Sequence, residues 1–121
     1  MSDLGSSAKF QIVFFPAAKK EYEKEVKQSQ ERAKIDAILE KVETYGFQAL
    51  GANFEKVKGA DNIYELKIKA FGSEHRFLFG YAPEKSPEGL PILILLRYLK
   101  KKQWKLPQGD IQAAVNRLRQ F

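Results

Sequence analysis

The sequence predicts an α+β domain, and three observations carry that prediction. Residues 63–70 (IYELKIKA) and 75–81 (HRFLFGY) alternate their side chains about Gly72-Ser73, as the two strands of a hairpin do. Residues 92–99 (ILILLRYL) are apolar on both faces through Leu96, the pattern of a central strand covered from two sides. Residues 17–45 and 108–120 instead repeat their apolar positions every three or four residues, the period of an amphipathic helix.

Taken in order, residues 1–8 are small and polar and read as a flexible tail, and residues 9–121 read as a single domain. Residues 9–15 (KFQIVFF) form a first strand ended by Pro16, whose fixed φ and missing N–H suit the first turn of a helix. Ala18, Tyr22 and Val26 make the first helical stripe; Ile35, Ile38, Leu39 and Val42 make the second. The polar run 27–34 interrupts them, which predicts two helices broken near Ser29, the second stopped by Gly46. Residues 47–62 carry Gly51, Gly59 and Asp61-Asn62 and read as irregular, with Phe47, Leu50, Phe54 and Val57 as apolar pegs beneath the connection. Three strands follow, with a loop rich in Pro, Gly and charge over 83–91. After a basic loop around Trp104, a last helix at 108–120 buries Ile111, Ala114, Val115 and Leu118.

The composition narrows the chemistry. There is no cysteine and one histidine, which excludes disulfides, thiolate sites and the usual histidine-rich metal centres, so no metal or cofactor is expected. The longest apolar run, 92–96, is far too short to span a bilayer, and the N-terminus lacks the organisation of a signal peptide; a cytoplasmic protein without a membrane partner is expected. The net charge is +6, and from Arg97 onward seven cations face one acid, Asp110. Such a surplus suits a polyanion, although a solvated basic surface has the same composition.

Metal-independent RNA cleavage needs a base for the 2′-hydroxyl, cations for the charge building on the phosphoryl oxygens and an acid for the 5′-oxygen. Lys67, Lys69 and Arg76 fall on one face of adjacent strands, about 4.8 Å apart by sheet spacing. Crowded cations lower a lysine pKa and fit it for proton transfer, and Arg76 with Lys101 suits a phosphate clamp. Arg97, Lys100, Lys102 and Lys105 would add phosphate contacts, and Tyr98 or Trp104 would stack a base. Against each stands a plainer role: Lys67 and Lys69 as a solvated strand face, Glu65 as an ion-pair partner, His75 as a packed side chain among Phe77 and Phe79, Trp104 as a loop anchor. Arg97 has two plausible faces.

The order of elements resembles the RelE/ParE toxin superfamily, and especially its HigB-like, phage-associated branch. Tyr64-Glu65-Leu66-Lys67 resembles the branch's Tyr-Glu-Leu-Arg signature, with Lys67 in place of Arg. His75-Arg76-Phe77-Leu78-Phe79 resembles its aromatic-Arg-aliphatic-aliphatic-aromatic strand, and the aliphatic strand running into Lys100-Lys101-Lys102-Gln103 and then Pro107 resembles its Lys-Lys-Thr-Gln-Lys-Thr-Pro run. No histidine ends the last strand, where several relatives carry one, and the loop 83–91 is longer than usual. The resemblance implies a type II toxin: a metal-independent endoribonuclease that cleaves mRNA on the ribosome, with Lys67, Lys69, Arg76 and Lys101 as its catalytic cations. It implies a cognate helix-turn-helix antitoxin. A ParE-like protein that poisons gyrase, or a non-catalytic basic module for nucleic acid or an acidic peptide, are the alternatives.

Overall fold

The computed structural model describes residues 8–100 and 106–121. Its elements are β1 (Gln11–Phe14), α1 (Pro16–Glu25), α2 (Ser29–Tyr45), β2 (Ala52–Lys56), β3 (Tyr64–Ala70), β4 (Ser73–Lys85), β5 (Pro91–Lys100) and α3 (Gln108–Leu118). The strands form one sheet in the order β1-β5-β4-β3-β2. β1 runs parallel to β5, and every other neighbouring pair is antiparallel. This is the expected α+β architecture, with helices packed on a mostly antiparallel sheet. No described helix is long and apolar enough to cross a membrane. Of the tail expected over 1–8, all but Ala8 lies outside the described residues.

Local chemistry sets the helix ends. Pro16 opens α1 at a position where no N–H is required. Its last turn is closed from outside: the Arg32 guanidinium donates to the Val26 carbonyl, with Nη2 at 2.6 Å and Nε at 3.1 Å, so the chain can turn and start α2 at Ser29. Gly46, at φ +66°, ends α2 in a conformation a side chain resists.

The helices cover both faces of the sheet. Tyr22 of α1, Val26 just after it, and Ile35, Leu39 and Val42 of α2 pack on Leu66, Ile68, Phe77, Phe79, Leu93 and Leu95. Ile111 and Ala114 of α3 pack on the opposite face, against Ile63, Leu78, Ile94 and Leu96. The run 93–96 therefore feeds two cores in turn. At roughly 1.5–3 kcal/mol for each buried side chain, this explains why β5 carries no polar residue before Arg97. Gly80 leaves the room α3 needs, since a Cβ there would meet Leu118 at 3.0 Å and the Asn62 carbonyl at 3.1 Å.

Two expectations are corrected. Residues 47–62 are not wholly irregular, because 52–56 pair with β3 as the edge strand β2. Phe47 and Leu50 are not buried pegs: Leu50 is 79 % exposed and Phe47 is also exposed, its ring edge-on to Phe10 and Phe54. Val57 does lie in the α3-side core.

A β-bulge positions everything at the end of β5. Leu78 pairs with Arg97 but Phe79 pairs with Leu95, so Leu96 is one residue extra. The alternation shifts there, and Tyr98 rather than Arg97 turns into the core beneath α1.

Candidate functional site

Lys67 and Arg76 are direct cross-strand partners on β3 and β4, and Lys69 lies two residues along on the same face. The structure brings these three together on the side of the sheet away from α1 and α2. They are interleaved with three acids, Glu55, Glu65 and Glu74, of which sequence reading left out Glu55 and Glu74. Lys67 Nζ donates to Glu55 of β2 and sits 3.9 Å from Glu65. Arg76 is only 4 % exposed, its Nε 3.2 Å from Glu74 and 3.3 Å from Glu65. The expected repulsion among bare cations is thus met by carboxylates. Glu65 is the ion-pair partner anticipated, but its nearer partner is Arg76.

The acids divide by environment. Burial pushes the Glu65 carboxyl above its ordinary range against the pull of Arg76 and Lys67, and among the described residues its Oε2 accepts no hydrogen bond. The exposed Glu55 carboxyl is held below its ordinary range by the hydrogen bond from Lys67. Arg76 spends its Nε on Glu74, and neither Nη makes a hydrogen bond among the described residues. The guanidinium is buried between these carboxylates, so a phosphate meets its planar donor fork only where Glu65 or Glu74 gives way.

The other candidate residues lie apart. Arg97 shares the face of Lys67 and Arg76, but its guanidinium is engaged by Asp110 of α3 and Glu21 of α1. Tyr98, expected to stack a base, is 2 % exposed; its ring packs against Tyr22, Phe77 and His75, so no base reaches it. Lys100 pairs with His75 and so belongs to the opposite face from Arg76. Lys101, Lys102, Trp104 and Lys105 lie outside the described residues. His75 is packed, as anticipated: it is fully buried, with Nδ1 2.8 Å from the Tyr98 hydroxyl and Nε2 2.9 Å from Glu31 of α2. Among the described residues no group of three histidine or carboxylate side chains is placed to hold a metal ion.

Beside this face, a four-charge network ties α1, β5 and α3 together. β1 ends at Phe14, leaving the rest of the β5 edge unpaired. Glu21 accepts from the Tyr98 N–H at 3.2 Å, and Arg117 donates to the Leu96 carbonyl at 2.7 Å, so side chains replace the missing strand. Burial would raise the Glu21 pKa, but hydrogen bonds from Arg117 and the Tyr98 N–H and the charges of Arg97 and Arg117 outweigh it and hold it low. A depressed folded pKa contributes stability above the unfolded value of 4.5 that is lost as pH falls through the folded one. Glu21→Gln is therefore expected to cost about 1–2 kcal/mol at pH 7. The gap between its melting curve and that of the parent should narrow as pH falls below 4.5 and through the depressed folded pKa; a gap that stays constant with pH would mean that charge is not what Glu21 supplies.

Residues 24–119 match the family described as Phage derived protein Gp49-like (DUF891), which is phage-associated and toxin-like. No curated protein and no solved structure matches the chain.

Proposed function

We propose, since the chain belongs to this Gp49-like family of toxin-like proteins, that it is a HigB-like type II toxin that cleaves mRNA on the ribosome without a metal. The observation that carries this reading is the cross-strand register of Lys67 with Arg76, which puts an ammonium and a guanidinium side by side on one face of the sheet.

In this reaction the 2′-oxygen attacks the adjacent phosphorus. The bond to the 5′-oxygen breaks, giving a 2′,3′-cyclic phosphate and a 5′-hydroxyl. One proton leaves the 2′-oxygen and one arrives on the 5′-oxygen, so no net proton is consumed. Arg76, held by Glu65 and Glu74, neutralises the phosphoryl oxygens as charge builds there. Lys67, released from Glu55, gives its ammonium proton to the leaving 5′-oxygen, and the freed Glu55 carboxylate takes the proton of the 2′-hydroxyl. Lys69 adds charge from the same face, and Lys101 is assigned as the fourth cation. A family of this kind fits an antitoxin partner that covers the face until the toxin is released.

The test is to add the purified chain to a translating extract and read the ends of the mRNA fragments. Cleavage that leaves 5′-hydroxyl and cyclic phosphate ends, and persists when free divalent ions are chelated from isolated mRNA–ribosome complexes, is the expected result. Intact mRNA together with gyrase-trapped DNA breaks would replace this reading by the gyrase one.

A further inference from the structure

The β3–β4 hairpin ends in a turn whose sequence its backbone does not favour. Ala70 pairs with Ser73, and the two residues between them both have positive φ, Phe71 at 52° and Gly72 at 79°. That is the two-residue turn for which Asn-Gly is the preferred sequence, because a Cβ crowds the backbone at the first position. Phe71 accepts the strain outside both apolar cores. It is 52 % exposed, and among the described residues no aromatic ring lies against it. Neither the turn nor either core needs a ring here, and strained exposed residues of this kind mark functional positions.

The surroundings suit an anionic, aromatic ligand. Phe71 borders a hollow of about 390 Å³ that Lys34 of α2 and Lys69 of β3 also line. Among the described residues no carboxylate lies within ion-pair distance of either lysine, and Glu74 on the hollow's wall is engaged by Arg76. Lys69 shares the face of Lys67 and stands about 6.6 Å further along the strand, between the Lys67–Arg76 pair and the hairpin tip.

We propose that this tip is a stacking subsite for single-stranded RNA, in which the Phe71 ring takes a base and Lys34 and Lys69 take the flanking phosphates. The subsite rests on the ribonuclease reading and extends its substrate contacts beyond the cleavage site. Stacking suits a mRNA of any sequence, because every base presents a π-face, and loss of one stacked ring lowers affinity roughly tenfold.

The experiment uses the full chain and a single-stranded oligonucleotide made uncleavable by 2′-deoxy substitution, with 2-aminopurine at successive positions. Phe71→Asn supplies the residue the turn prefers. It is expected to raise the melting temperature while weakening the oligonucleotide about tenfold. It should also abolish the 2-aminopurine quenching at one position, and Phe71→Trp should restore both. An oligonucleotide abasic at that position should bind parent and Phe71→Asn alike. Equal affinity of parent and Phe71→Asn for the intact oligonucleotide overturns the subsite and leaves the ribonuclease reading standing, since mRNA cleavage is scored separately. If Phe71→Asn weakens only a complex with the antitoxin, the tip is a protein-docking point and the RNA subsite is wrong. A parent chain that neither binds RNA nor cleaves mRNA removes both readings.

Discussion

Arg76→Ala is expected to lower mRNA cleavage by about a hundredfold or more, because a cation aimed at the transition-state charge is worth roughly 3 kcal/mol. Affinity for the mRNA–ribosome complex should change only a few-fold, since peripheral cations hold a polyanion through counterion release and Arg76 is one contact among many. The fold complicates this substitution. Arg76 is buried between Glu65 and Glu74, and its removal leaves buried negative charge uncompensated, at a cost of about 3 kcal/mol in stability. Glu65, already raised by burial, then loses the largest influence pulling it down. A carboxyl raised in the folded state takes up its proton more readily there than in the unfolded chain, so stability rises as pH falls through the folded pKa towards 4.5. The Arg76→Ala protein should accordingly recover part of its melting temperature near pH 5. The double variant Arg76→Met, Glu65→Gln separates the two effects, because it empties the pair of charge and retains its volume. Restored stability with cleavage still a hundredfold down assigns Arg76 to the chemistry. Restored cleavage would mean that Arg76 serves the fold alone.

What could be read from the sequence follows from which signals are local. Tyr64, Leu66 and Ile68 alternate with Glu65, Lys67 and Lys69 because one face of β3 is buried under α2, and that rule needs no knowledge of the partner strand. The gap between α1 and α2 shows as a polar run, even though the Arg32 bond that closes it does not. β2 escaped notice because it is a five-residue edge strand with one large apolar residue, Phe54, and two charged ones, so pairing with β3 alone defines it. The bulge at Leu96 is also non-local. A strict period of two puts Arg97 on the face of Leu93 and Leu95 and Tyr98 on the opposite one, whereas one extra residue reverses both. Lys67, Lys69 and Arg76 lie before that shift, and their shared face was legible. Glu55 and Glu74 were missed as their partners because Glu55 belongs to the unrecognised β2 and Glu74 stands just ahead of the stretch read as the return strand. Carboxylates that neutralise a cationic face leave no periodic trace.

His75→Ala is expected to destabilise the protein by about 3 kcal/mol, lowering its melting temperature by roughly 10 °C or more. The imidazole is fully buried and spans two elements, so its loss opens a cavity and strips partners from two polar groups at once. In the neutral imidazole Nε2–H donates to the Glu31 carboxylate, which can only accept, and Nδ1 accepts from the Tyr98 hydroxyl. Burial and the charges of Glu25 and Glu31 raise the Tyr98 pKa far above its ordinary value and keep that hydroxyl a donor. Glu31 lies in the first turn of α2, so this chain fastens α2 to β4 and β5. A sole histidine near the proposed cleavage face invites assignment as the general acid, and the two roles part in a simple measurement. If His75 is structural, His75→Ala assayed well below its melting temperature should cleave mRNA within a few-fold of the parent. His75→Gln, which can still donate and accept, should regain part of the lost stability. If His75 donates the proton to the 5′-oxygen, both variants should fall by about a hundredfold at every temperature, whatever fraction is folded. The imidazole points into the core beneath α1 and α2, away from Arg76 and Lys67, and the first outcome is the one its position supports.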